Sequence, residues 1–131
     1  MEHFFLLALV AYVVVALTVR AAPSDPTRWH VAPVGEERDM KGGVVRVVET
    51  GPDGLARFHE IARDTSRTYV LAGSVQEGMI TYITRTKGMG FPDYTTVQQD
   101  GDTLRIYARL RFGRRDFGVN KARVEAWLAR M

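Results

Sequence analysis

The chain has 131 residues, 46% hydrophobic and 25% charged, a composition that fits one small globular domain rather than a disordered segment. With no cysteine, it excludes disulfides, thiolate catalysis and cysteine-ligated zinc or iron–sulfur centres. The net charge of +3 is uneven: residues 103–131 hold eight Lys/Arg against two Asp/Glu, a basic end suited to phospholipid headgroups, nucleic acid or an acidic protein.

The chain opens on FFLLALVAYVVVALTV, Phe4 to Val19, without a charge or a proline. At about 1.5 Å per residue these residues cover roughly 24 Å of a hydrocarbon core near 30 Å, which is short for a span. Arg20 can snorkel outward, so that Ala21 and Ala22 extend the helix to Pro23. A cleaved secretory signal is the competing reading, because Val19-Arg20-Ala21 offers a small-residue site. Met1-Glu2-His3 lacks the basic start that such a signal needs, and the flanks favour one uncleaved transmembrane helix over residues 1–22. Arg20, Arg28, Arg38 and Lys41 follow the helix and no Lys/Arg precedes it, which argues for a cytoplasmic C-terminus. A folded domain can nevertheless be translocated regardless of charge, so these flanks leave the side open.

Residues 23–27 contain two prolines, a serine and an aspartate and read as an extended tether. The soluble domain then runs over 28–131. RWHVAP reads as a short edge segment that places Trp29 for burial, and GEERDMKGG as a polar loop. VVRVVE (44–49) is β-branched and predicts a strand. Leu55, Phe58, Ile61 and Ala62 recur at helical spacing, predicting a helix over 52–64. Residues 68–74 and 78–86 are strand candidates, and KGMGFPDY turns the chain.

Asp100-Gly101 between two alternating runs predicts a two-residue type I′ hairpin, pairing Gln99 with Asp102 and setting Val97 opposite Leu104, Thr95 opposite Ile106 and Tyr94 opposite Tyr107. Leu104, Ile106, Ala108, Leu110 and Phe112 then share a buried face, and Arg105, Tyr107, Arg109 and Arg111 the other, beside Tyr94, Thr96 and Gln98. Val124, Trp127, Leu128 and Met131 form one apolar stripe of a final helix, with Asn120 placed as its N-cap. The expected fold is α+β: an antiparallel β-meander sheet with two helices on one face, preceded by a single N-terminal transmembrane helix.

From Tyr82 to Met131 the sequence resembles the family called domain of unknown function 1499. The resemblance is carried by Gly90-Phe91-Pro92-Asp93, by Arg-x-Gly-x-x-Asp-x-Gly-x-Asn at Arg111, Gly113, Asp116, Gly118 and Asn120, and by Arg123-Val124. Arg114 and Arg115 lie outside that pattern. The resemblance implies a small α+β domain over most of 28–131, often membrane-anchored or exported in bacteria and also found in plastid-bearing lineages. A single-pass protein of a bacterial inner membrane is the expected location. The resemblance brings no activity, cofactor or catalytic residue.

The residues themselves assign no catalytic site, metal site or cofactor. His3, His30 and His59 form no pair at metal-ligand spacing, and His59 in FHEIARD reads as a solvated helix residue. Ser24, Ser66 and Ser74 lie in tether and turns without a nucleophile elbow. Asp93 and Asp116 each read as a side chain bonding its own turn. GMGF is followed by Pro92 and a strand, whereas a dinucleotide site needs a helix N-terminus there.

Two constellations suit binding. Tyr94, Arg105, Tyr107, Arg109 and Arg111 form a basic–aromatic sheet face that could stack bases, although it also reads as the wet face of a one-sided sheet, and a membrane tether argues against nucleic acid. Arg114, Arg115, Lys121 and Arg123 gather at the start of the last helix, where Gly113 and Gly118 permit the chain reversal. Cations oppose the macrodipole there, so Asp116, screening or a bound anion must offset them, and an anionic lipid headgroup is the natural ligand. The expected function is that of a membrane-anchored binding or accessory domain, a subunit or assembly partner of another membrane protein. The alternatives are an anionic-lipid-binding domain and a hydrolase-type enzyme with an unrecognised site.

Overall fold

A computed structural model describes all residues, 1–131. Helix α1 (Glu2–Ala21) is followed by a single helical turn, α2 (Pro26–Trp29), and then by β1 (Arg38–Met40) and β2 (Gly43–Glu49). Helix α3 (Gly54–Ala62) leads to β3 (Thr68–Ser74), β4 (Met79–Arg85), β5 (Pro92–Asp100) and β6 (Thr103–Leu110), and α4 (Val119–Ala129) closes the chain. The six strands form one antiparallel sheet in the order β1-β2-β6-β5-β4-β3. The predicted meander is β3 to β6. The hairpin β1–β2 extends it at β6, and α3 carries the chain beneath the sheet to the opposite edge.

Period-2 alternation decides which strand residues meet the helices. Val44, Ile80, Tyr82, Val97, Leu104, Ile106 and Ala108 point to one face and pack on Leu55, Phe58 and Ala62 of α3 and on Val124 and Trp127 of α4. Both predicted helical stripes are therefore core. Phe58 lies edge-on to Trp127, ring centroids 5.5 Å apart, and each large side chain buried this fully stabilises the fold by about 1.5–3 kcal/mol.

The hairpin register differs from the sequence expectation by two residues. Asp100 pairs with Thr103, so Val97 lies opposite Ile106, Thr95 opposite Ala108 and Tyr94 opposite Arg109. The turn is centred on Gly101 and Asp102, and only Gly101 has positive φ (+60°), the pattern of a type II′ turn. A shift of two residues preserves the side-chain period, so the predicted faces stand although the predicted partners do not.

Three further expectations are corrected. GEERDMKGG is not wholly a loop, because Arg38–Met40 pairs with Gly43–Val45 as the edge strand. RWHVAP is not an edge segment: the Asp25 carboxylate accepts the Thr27 backbone N–H at 2.9 Å and starts α2. Nor are residues 23–27 a free extended tether, because the Pro23 carbonyl accepts from Arg111, Ser24 Oγ bonds the Tyr94 hydroxyl, and Pro26 and Thr27 belong to α2.

Candidate functional site

The second face of the sheet was expected to be wet, and it is roofed in part by the chain's own residues 23–30. Trp29 stacks on Tyr94 with ring centroids 4.0 Å apart and planes 9° from parallel, and Ile83 and Leu71 complete a small second core. Arg109 is 7% exposed. It donates to Thr96 Oγ1 at 2.9 Å, to the Tyr107 carbonyl at 3.0 Å and to the Trp29 carbonyl, while its guanidinium lies 4.5 Å from the Tyr107 ring centroid. None of these partners is a carboxylate, and burial lowers its pKa to about 10.

Arg111 donates to the Pro23 carbonyl at 2.8 Å and to the Tyr94 hydroxyl at 3.1 Å, which in turn lies 2.7 Å from Ser24 Oγ. His30, Thr81 and Thr96 continue the fastening through two contacts of 2.8 Å. Arg105 turns away to Asp100 at 3.3 Å and to the Gly35 carbonyl, at a shallow hollow beside Glu36 and Glu37. Tyr94, Tyr107, Arg109 and Arg111 therefore make up the seat of Trp29 rather than an open stacking surface, and Arg105 is not part of it. The sequence marks Trp29 for burial, but its partners Leu71, Ile83 and Tyr94 lie 42, 54 and 65 residues away, beyond the reach of local pattern.

The loop ahead of α4 is organised by Asp116. Its carboxylate accepts the backbone N–H groups of Gly118 at 3.0 Å and Asn120 at 3.1 Å, and its own N–H donates to the Lys41 carbonyl at 2.9 Å. Asp116 thus ties the turn as expected, and it also occupies the helix N-terminus with an internal anion. Asn120 is not the N-cap. It sits inside the first turn, fully buried, donating to Asp116 at 2.9 Å and accepting from Arg123 at 2.8 Å.

Asp93 is not a turn residue either, since it lies in β5 and pairs with Arg123 at 3.2 Å. Burial raises its pKa, against the opposing pull of Arg123. Lys121 pairs with Asp39 at 2.9 Å, and this bond, with a second from Arg46, lowers the Asp39 pKa. The four cations expected to share an anion therefore separate. Lys121 and Arg123 are bound to carboxylates of the domain, which is what offsets their place in the first turn. Arg114 and Arg115 are exposed and form no ion pair.

The same end of the domain receives α1. Arg20 donates to the Gly88 carbonyl, and a Cβ built on Gly88 would lie 3.3 Å from the Tyr12 hydroxyl. Gly90, at φ +81°, leaves room for Arg20, whose Nε would be 2.5 Å from a Cβ there. Arg85 holds this turn by donating to the Gly90 carbonyl at 2.9 Å. Phe91 faces Phe112 with centroids 6.2 Å apart, and a hollow of about 150 Å³ opens between Phe91, Leu110, Phe112, Val119 and Arg115. Sequence reasoning identified Arg114 and Arg115 but missed Phe117, which is 90% exposed at φ +54°.

Elsewhere, His59 is not simply solvated: its Nδ1 lies 2.8 Å from the hydroxyl of the fully buried Tyr82, whose pKa is raised by burial. Ser24 is committed to Tyr94, and Ser74 Oγ accepts the Glu77 N–H at 3.1 Å.

A protein-family profile described as "Protein of unknown function (DUF1499)" matches residues 19–131. Comparison with curated proteins returns no match. Among solved structures, the chain is similar to a DUF4468 family protein from Bacteroides ovatus at 13% identity and a TM-score of 0.31, over 66% of this chain and 63% of that one. A likeness of that degree bears on neither fold nor function.

Proposed function

The chain belongs to the DUF1499 family, proteins of unknown function, and from that premise we propose that it is a membrane-anchored binding domain, serving a membrane protein complex as an accessory or assembly partner. Helix α1 is long and apolar enough to cross a membrane, with a mean hydropathy of 2.4 over its most apolar window. Phe4, Phe5, Leu6, Leu7, Leu9 and Val10 are all more than half exposed, so the domain itself supplies no cover for them.

The observation that carries the reading is the seat of Trp29. A helix used only for export needs no rigid link to the folded domain. Here Pro23, Ser24 and Trp29, within eight residues of the helix end, are each bound to the sheet. This fastening holds the domain against whatever surface α1 enters, and it suits a module that presents a fixed face to a membrane neighbour.

Alkaline carbonate extraction of membranes, followed by intact-mass analysis, tests the anchor. The full-length chain is expected to stay in the pellet with residues 1–22 attached, and a soluble, shortened product would sink the anchor. A mild-detergent pull-down of the tagged full-length chain tests the accessory role: a stoichiometric membrane protein is expected, and recovery of the chain alone would contradict it.

A further inference from the structure

We propose that the rim made by turn 86–91 and loop 112–119 enters the headgroup layer of the bilayer that α1 crosses, where Arg114 and Arg115 take the phosphates of anionic phospholipid. The proposal rests on the reading of α1 as a span and adds a second, lipid-specific contact.

Tyr12 and Arg20 are eight residues apart, about 12 Å along the helix axis, and the turn at Gly88–Gly90 lies against both side chains. Ala16 and Val19, on the same face, are the only residues of α1 buried. The polar layer on each side of a bilayer is only about 5–8 Å thick. With Phe4–Val19 in hydrocarbon, the turn therefore cannot stand clear of the membrane surface.

The chemistry of the rim matches that position. Phe112, Phe117 and Val119 are 38%, 90% and 46% exposed, and a bulky residue at positive φ is a conformation that must be held in place. Asp116 holds it, since its carboxylate bonds to the N–H groups of Gly118 and Asn120 just beyond the ring. The backbone is thus held where the ring stands exposed to solvent rather than covering the hollow below it. Arg114 and Arg115 flank this apolar tip without an acidic partner, and Lys41 and Lys87 stand exposed and unpaired on the adjoining turns. Aromatic residues at the acyl boundary, with basic residues at phosphate level, are the pattern of an interfacial lipid contact.

Because the chain has no cysteine, single spin labels report the test directly in the full-length protein. Labels at Val10→Cys and Phe117→Cys are compared in vesicles of phosphatidylcholine alone and of phosphatidylcholine with phosphatidylglycerol. Relaxation by oxygen is read against relaxation by a water-soluble nickel chelate. The Val10 label is expected to favour oxygen in both. The Phe117 label is expected to favour oxygen most with phosphatidylglycerol present, a preference that falls when Arg114→Ala and Arg115→Ala are added or salt is raised. If the Val10 label favours oxygen and the Phe117 label the nickel chelate in both lipids, the anchor stands and the rim contact is overturned. If both labels favour the nickel chelate, the span fails and the proposal falls with it. A Phe117 label that is water-exposed in vesicles but immobilised in native membranes would assign the rim to a protein neighbour and overturn the lipid contact.

Discussion

Arg109 is a buried cation that donates to two carbonyls and one hydroxyl. Its charge is tolerated because Tyr107 and Trp29 offer ring faces within 4.5 and 5.6 Å. Trp29→Ala removes both the stack on Tyr94 and this partial cover. A loss of about 3–5 kcal/mol is expected, read by denaturant unfolding of the full chain in detergent; a loss below about 1 kcal/mol would contradict the role given to Trp29.

Thr95 acts in the opposite direction. Its hydroxyl is buried without a partner, so Thr95→Val is expected to stabilise the domain by about 1 kcal/mol, seen as a raised unfolding midpoint. Asp93 makes stability depend on pH. Its folded pKa lies above the unfolded value, because burial outweighs Arg123. Its contribution is complete below the unfolded value, near 3.9 for an ordinary Asp, and is lost as pH rises through the folded value. Relative to Asp93→Asn, the parent protein is expected to lose stability across that window, and parallel pH profiles would refute the assignment.

At the scale of elements, the α3 and α4 stripes and the strand faces are legible in the sequence because periods of 3.6 and 2 are local. The turn between β5 and β6 is half legible. Asp-Gly marks the reversal, but two turn types differ only in whether Asp100 or Asp102 joins Gly101 at its centre, and the sequence offers both. β1 has three residues, too few to show alternation, so its pairing depends on β2 being present. Asp116 and Asn120 are both capping residue types four positions apart, and only the folded loop decides that Asp116 takes the free N–H groups while Asn120 is buried.

The candidate site was legible as Arg114 and Arg115. The release of Lys121 and Arg123 from it was not, because Asp39 and Asp93 reach them from distant strands. At this scale Gly101→Val is expected to destabilise by about 1–2 kcal/mol, the cost of forcing a β-branched residue into positive φ, measured by the same unfolding experiment. A neutral substitution would contradict the type II′ assignment.

At the scale of the whole molecule, α1 is fastened to the domain rather than hung from it on a free link. Two contacts make it so: the Trp29 seat on the sheet and the turn at Gly88–Gly90 against Tyr12 and Arg20. The test is a distance measurement by double electron–electron resonance on the full-length protein in phospholipid vesicles, with labels at Leu7→Cys and Lys87→Cys, both exposed positions. The account predicts one narrow distribution that broadens when Trp29→Ala is added. A broad distribution in the parent protein, unchanged by that substitution, would contradict it.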